Sequence, residues 1–231
     1  MKAQPVIDVI IPAFNESKSI GGVIADIPKQ IVREIIVIDN NSSDFTTDVS
    51  RNAGATVLQE KRQGYGSACL KGIEYLAAQS HKPDIVLFID ADYSDFPEEA
   101  SQLIKPILES GYDLVIGSRS MGNKEKGAMT VQQIVGNKIA VVLMKFLYNI
   151  DFTDLGPFRA IRYDKLVELN MQDATYGWTV EMQVKAAKKG LRCCEVPVRY
   201  RKRIGHSKIS GTVKGTVLAG YKIITTIFKY A

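Results

Sequence analysis

The sequence predicts an α/β fold: a mainly parallel sheet with helices on both faces and a basic helical extension at the C-terminus. Three observations carry this. First, short apolar runs recur at Val6–Ile11, Glu34–Ile38, Asp84–Ile89 and Tyr112–Ile116, with helix-like stretches between them, the rhythm of a sheet built from strand–helix units. Second, each run ends in a polar or glycine-containing turn, so the loops after strands one, two, four and five are expected at one edge of the sheet. Third, 231 residues with 45% apolar and 24% charged side chains and no repeat or low-complexity segment suit one globular domain with a small extension.

In chain order, Val6–Ile11 is the first strand and Pro12-Ala13-Phe14-Asn15-Glu16-Ser17 its loop; Ser17 or Ser19 would cap a helix reaching Pro28. The second strand, Glu34–Ile38, ends in Asp39-Asn40-Asn41-Ser42-Ser43-Asp44, a turn and helix cap. A short strand at 55–59 follows, and Gly64-Tyr65-Gly66-Ser67 opens a helix to Ala78. The fourth strand runs to Asp90. Ser94-Asp95-Phe96-Pro97-Glu98-Glu99 then starts a helix to Ser110, with proline and acids in its first turn. The fifth strand, Tyr112–Ile116, ends in Gly117-Ser118-Arg119. Beyond it the pattern predicts a polar loop at 122–127, an apolar-rich helix over 130–148 and a turn at 154–159 into a short strand. A helix over 178–189 would bury Val180, Val184 and Ala187, and a strand over 191–200 leads into the basic loop Arg201–Lys208.

From Gly211 the tail reads as a helix with Val213, Val217, Tyr221, Ile224 and Phe228 on one stripe and Lys214, Lys222 and Lys229 to one flank. That pattern fits a membrane-interfacial helix whose lysines snorkel, and equally a helix packed on the domain. The expected division is therefore 1–210 and 211–231.

Composition narrows the setting. Met1 leads straight into the first strand without a charged-then-apolar leader, and no stretch reaches the length of a membrane span. Cys69, Cys193 and Cys194 have neither disulfide-framework nor zinc spacing. The expected location is cytoplasmic. Net charge is +5, but residues 182–231 carry +11 and the first 181 residues −6. This basic end calls for an anionic partner: a phosphorylated substrate, a membrane surface or nucleic acid. No aromatics interleave with the basic run, which argues against nucleic acid.

The chemistry centres on Phe88-Ile89-Asp90-Ala91-Asp92. Two carboxylates two residues apart, on the same side of an extended backbone, sit where a buried strand ends, at the edge where open α/β sheets bind ligands. Two hard oxygens with an open side suit Mg²⁺ or Mn²⁺ carrying substrate phosphates. Two solvated loop acids would give the same pattern.

Seven blocks in order resemble the family 2 glycosyltransferases of the GT-A fold, closest to the polyprenyl (dolichyl) phosphate mannosyl- and glucosyltransferases. They are Ile10–Glu16, Ile38–Asp44, Gly64–Ala68, Asp90-Ala91-Asp92, Gly117-Ser118-Arg119, Gly156-Pro157-Phe158-Arg159 and Arg203-Ile204-Gly205-His206-Ser207-Lys208. The resemblance implies that Pro12, Phe14, Glu16 and Asp39 hold the base and ribose of a nucleotide sugar. Asp90 and Asp92 would bind the divalent cation at its diphosphate. Arg119, Arg159, Arg203, Ser207 and Lys208 would gather around phosphates, those of the acceptor included, where guanidinium forks fit. His206 is counted among phosphate contacts, not metal ligands. The implied reaction is inverting hexose transfer from a GDP-mannose or UDP-glucose type donor to a polyprenyl phosphate at the inner face of a membrane. That acceptor is anionic and needs no strong base. A hydroxyl acceptor would need one, and Glu181 is the candidate. Trp178 could stack on substrate or pack the core.

The blocks depart from the family pattern at Asn40, an amide where a second aspartate is common, and at Pro157, where a smaller residue is usual. Two alternatives stay open: a soluble family 2 enzyme with a non-lipid hydroxyl acceptor, and a non-catalytic nucleotide- or nucleic-acid-binding module.

Overall fold

The structure is a computed structural model that describes residues 4–205 and 213–230. The chain forms β1 (Ile7–Ala13), α1 (Ile20–Asp26), β2 (Glu34–Asp39), α2 (Thr46–Asn52), β3 (Thr56–Gln59), α3 (Tyr65–Ala78), β4 (Ile85–Phe88), α4 (Ala100–Ser110, entered through a 3-10 turn at Pro97–Glu99), β5 (Leu114–Ser118), α5 (Val131–Tyr148), β6 (Arg159–Arg162), α6 (Tyr163–Leu169), α7 (Trp178–Lys188), β7 (Cys193–Pro197) and α8 (Val213–Lys229). The strands form one seven-stranded sheet in the order β3-β2-β1-β4-β6-β5-β7.

The apolar runs are continuous because both faces of the sheet are covered. Alternate residues of β1, β2 and β4 enter two cores. Val9, Ile11, Val37 and Leu87 pack beneath α1 and α4, while Ile10, Ile36, Val86 and Phe88 pack beneath α3 and α7. A third cluster joins α5, α7 and α8 through Ala140, Met144, Val180, Val184 and Ile227.

Only β6 runs antiparallel, to both β4 and β5. The other six strands share one direction, so the loops after β1, β2, β4, β5 and β7 emerge at one edge. Two features depart from the sequence expectation. Helix α6 starts directly after β6, with no glycine or proline between them to mark it. Ser19 stands at the start of α1 but makes no capping bond; its hydroxyl donates back to the Glu16 carbonyl and carboxylate.

Candidate active site

Three loops at the carboxyl edge are tied to one another before any ligand is considered. After β1 the chain turns at Asn15 in the left-handed region (φ 53°). The Asn15 amide donates to Ser42 Oγ (2.9 Å), its Oδ1 accepts from the Ser43 amide (2.8 Å), and the Glu16 amide donates to Thr46 Oγ1 (2.8 Å). The β1 and β2 loops therefore move as one unit.

After β4, Asp90-Ala91-Asp92 leads into a turn at Tyr93 (φ 64°), where Asp92 Oδ1 accepts from the Ser94 amide and hydroxyl. The segment after β7 is laced along this turn: the Arg201 amide donates to Ser94 O and the Ile204 amide to Asp92 O, both at 2.9 Å. Arg201 stacks on Tyr93, its guanidinium carbon 3.5 Å from the ring centroid. This lacing delivers Arg203, which spans Glu16 Oε1 (2.7 Å) and Asp92 Oδ2 (3.1 Å).

Between these loops lies a cavity of about 350 Å³, the size of a small-molecule site. It brings together Pro12, Phe14, Glu16, Asp90, Asp92 and Arg203. Asn40, Gln63, Tyr65 and Tyr176 also line it; of these the sequence marks Asn40, as a departure from the family pattern, and Tyr65 only as part of the Gly64–Ser67 helix start.

The floor is electrostatically uncomfortable. Asp90 Oδ1 is shut off from solvent and, among the described residues, has no hydrogen-bond partner; the same is true of Tyr65 Oη. Burial, reinforced by the charge of Asp92, pushes the Asp90 carboxyl up to about 7. Asp95, 1% exposed, has both carboxylate oxygens unpartnered, and burial together with Asp90 raises it well above the usual range. An orphaned hard oxygen beside a second carboxylate fits a divalent cation, which would relieve both the desolvation and the repulsion. No group of three or more His, Cys, Asp or Glu side chains gathers in ligating geometry among the described residues. Asp90 and Asp92 would thus hold the ion with phosphate and water completing its shell, as Mg²⁺ and Mn²⁺ allow.

Four expected site residues lie elsewhere. Asp39 turns its carboxylate into its own loop, accepting from the Ser42 amide (2.9 Å), Thr47 Oγ1 and Gln59 Nε2 (3.0 Å). Burial alone would raise it, but these donors hold it below its ordinary value. Arg119 is locked to Asp154 by its backbone amide, Nε and Nη2 (2.8, 2.8 and 2.6 Å) and lies over Tyr200, so it is not a free phosphate ligand. Arg159 is fully buried, donating to the carbonyls of Gly156, Leu155 and Thr179, and burial lowers its guanidinium to about 10. It braces the 154–159 turn and does not reach the cavity surface.

Glu181 is likewise fully buried. It accepts from the amides of Gln172 (3.0 Å) and Asp173 (2.7 Å), from Tyr230 Oη (2.8 Å) and from Lys185 (2.7 Å). A carboxylate this fully engaged has no lone pair turned to a substrate, which corrects its candidacy as a base. Trp178 packs against Phe88 and Tyr65 with no exposed surface. His206, Ser207 and Lys208 lie outside the described residues. Of the four cationic side chains expected to converge, Arg203 is the one the described structure places at the cavity.

Comparison with known proteins agrees with this geometry. The family description "Glycosyl transferase family 2" matches residues 8–169. An uncharacterized glycosyltransferase of Mycobacterium tuberculosis is 34% identical over 218 residues, spanning 94% of this chain and 95% of its own. The dolichyl-phosphate hexose transferase of Haloferax volcanii is 30% identical over 216 residues, spanning 91% and 89%. Among solved structures, glucosyl-3-phosphoglycerate synthase of M. tuberculosis, crystallised with Mn²⁺, uridine diphosphate and glucosyl-3-phosphoglycerate, superposes with a TM-score of 0.74 at 24% identity, covering 99% of this chain and 81% of that one; the fold is the GT-A fold. The seven-stranded sheet, the cavity at its carboxyl edge and the family match over most of the chain place this protein in glycosyl transferase family 2, a family of sugar-transferring enzymes.

Proposed function

We propose that the protein transfers a hexose from a nucleotide sugar to a polyprenyl phosphate at a membrane surface, with inversion and with a divalent cation. Pro12, Phe14 and Glu16 form the edge that takes the nucleoside, next to Asn40 and Gln63. Asp90 and Asp92 would hold Mg²⁺ or Mn²⁺ at the diphosphate. When bound, the cation neutralises charge that develops on the departing diphosphate. An oxygen of the lipid phosphate attacks the anomeric carbon, a C–O–P linkage forms, the bond to the donor's β-phosphate breaks, and nucleoside diphosphate leaves with the electron pair. Arg203 orients phosphate as this charge shifts, with Ser207 and Lys208 assigned to the acceptor phosphate.

The observation that carries the lipid part of this reading is a two-helix apolar surface. On α5, Val131, Ile134, Val135, Ile139, Val142 and Phe146 follow one helical stripe and are exposed, Phe146 by 85%. On α8, Val217, Leu218, Tyr221, Ile224 and Phe228 do the same. The opposite faces of these helices, at Ala140, Met144 and Ile227, are packed together. So α8 both packs on the domain and presents Val217, Tyr221, Ile224 and Phe228 of the stripe read from the sequence; the Val213 side chain lies outside the described ones. Eleven large apolar side chains from two adjoining helices, with Lys138 exposed on α5 and Lys145 paired there with Asp151, suit the interface of an anionic bilayer. No helix among the described residues is long and apolar enough to cross a membrane. The related Haloferax protein is named for a dolichyl-phosphate acceptor. The alternative hydroxyl acceptor would need a base, and Glu181, the residue nominated for it, is fully engaged elsewhere.

The test is nucleotide release from a panel of UDP- and GDP-sugars with Mg²⁺ or Mn²⁺, with and without polyprenyl phosphate. Release that requires the lipid, one donor and Asp92 (lost in Asp92→Asn) is expected. Equal release without lipid would refute the acceptor assignment.

A further inference from the structure

We propose that the C-terminal helix α8 is a strut of the donor pocket, acting through Asp173 and Glu181 as positioning residues. The proposal rests on the reading of the cavity as the donor site, and it concerns the loop 172–177, which places Tyr176 in the cavity wall.

This wall is a loop between α6 and α7, and its outer side is bonded to α8. Lys222 reaches Asp173 (2.9 Å), and Tyr230, just past the helix end, donates its hydroxyl to Glu181 (2.8 Å). Glu181 in turn accepts from the amides of Gln172 and Asp173. Asp173 also accepts from the Thr175 amide (2.7 Å). At Gly177 a Cβ would meet Thr226 Oγ1 of α8 at 2.4 Å and Asp173 Oδ2 at 2.7 Å. The helix thus meets the loop directly at two places, Lys222–Asp173 and Thr226–Gly177, and Tyr230 meets it through Glu181.

The inner side of the loop is bonded to the start of α3, beside the cavity. The Ser67 amide donates to Ala174 O (2.9 Å) and the Gly66 amide to Thr175 O (3.3 Å). Approach is so close that a Cβ on Gly64 would lie 2.2 Å from Ala174 O, and one on Gly66 1.9 Å from Asp173 O. Gly64 and Tyr65 on one side and Tyr176 on the other line the cavity. A shift of the loop by a fraction of an ångström must therefore move either Tyr176 or the start of α3. Loop 172–177 has α8 as its backing and the cavity as its face, so the seating of α8 fixes the width of the pocket where the donor enters.

Two carboxylates are buried in this joint, and neither meets substrate. Glu181 is closed off by its four donors, and Asp173 faces Lys222 and Thr175. Their arrangement has the form of a clamp: each acid holds backbone amides of the loop with one set of lone pairs and an α8 side chain with another.

The experiment uses the full chain and its single tryptophan. Trp178 lies against Tyr65, with ring centroids 6.0 Å apart, so its fluorescence reports on the pocket wall. UDP and GDP are titrated with Mn²⁺ into wild type, a Lys222→Ala/Tyr230→Phe double variant, and Thr225→Ala, whose hydroxyl bonds within α8. For the nucleotide that wild type binds, the dissociation constant should rise about tenfold in the double variant and stay put in Thr225→Ala. Hydrogen exchange, read without nucleotide, should speed up at 64–67 and 172–177 while β1 and β4 stay protected. Wild-type affinity in the double variant overturns the strut. So does exchange that rises uniformly with a fall in melting temperature, since that is ordinary destabilisation. Wild type that binds neither nucleotide, with exchange localised as expected, overturns the donor reading of the cavity and with it the assigned purpose of the strut.

Discussion

Asp90 and Asp92 are two residues apart and differently placed. Asp92 has Ser94 and Arg203 as partners, whereas Asp90 Oδ1 has none among the described residues. The Asp90 carboxyl, raised to about 7 in the fold from the ordinary 3.8 of an aspartate, sets the sign of a stability effect. Below pH ~4 both folded and unfolded chains are protonated there, and burial has no ionic penalty. As pH climbs from 4 to 7 the unfolded state ionises first, so the native state loses stability, and the loss is complete above 7. Asp90→Asn should therefore raise the melting temperature at pH 8 and change it little near pH 4, while lowering transfer at least ~100-fold. Differential scanning calorimetry at the two pH values, beside a transfer assay, checks both. Glu181→Ala should behave in the opposite way. It leaves two amides, a tyrosine hydroxyl and Lys185 without their acceptor, and should cost about 3 kcal/mol in urea unfolding.

These two acids also mark the limit of what the sequence discloses at single positions. Asp90-Ala91-Asp92 was legible because a carboxylate pair at the end of an apolar run has a restricted set of uses. Glu181, Arg119 and Arg159 were not, because a lone charge in an apolar stretch looks the same whether it meets substrate or holds a turn. Tyr230, Asp154 and the Thr179 carbonyl are distant in sequence from the side chains they meet, and the nearby carbonyls of 155 and 156 are backbone groups that carry no residue signature.

At the scale of elements, the strands of β1, β2 and β4 were readable because two cores demand apolar residues at most of their positions. The direction of β6 was not: Arg159–Arg162 is four residues long, and its antiparallel pairing with β4 and β5 is set by where α5 returns the chain. Glycines divide by what surrounds them. Gly136, mid-helix in α5, has nothing within 4 Å of a built Cβ. Gly136→Ala should stabilise the protein by about 1 kcal/mol, measurable as a rise in midpoint on denaturant unfolding. Gly66, by contrast, abuts the Asp173 carbonyl. Gly66→Ala should push α3 off loop 172–177 and weaken nucleotide binding, seen by calorimetric titration.

For the whole molecule, the basic C-terminal fifth calls for an anionic partner, and the stripe read on α8 is, at Val217, Tyr221, Ile224 and Phe228, an exposed apolar face. The contribution of α5 was hidden, since an apolar-rich helix of 18 residues is indistinguishable from a core helix until its neighbours are known. In the fold, Phe146 and Val142 on α5 point out beside the exposed stripe of α8. Replacing Val142, Phe146 and Tyr221 by serine should cut sedimentation with anionic vesicles by about tenfold or more, with nucleotide affinity in solution unchanged. The central claim, that the sugar goes to a lipid phosphate, is met most directly by following the sugar itself. The donor that wild type hydrolyses or binds is supplied with a radiolabelled hexose, a divalent cation and polyprenyl phosphate, and the products are partitioned between butanol and water. Label that enters the organic phase only with lipid and cation, and not with Asp92→Asn, is the predicted result. Label that stays in the aqueous phase as a free or soluble glycoside, in equal amount with and without lipid, would contradict it.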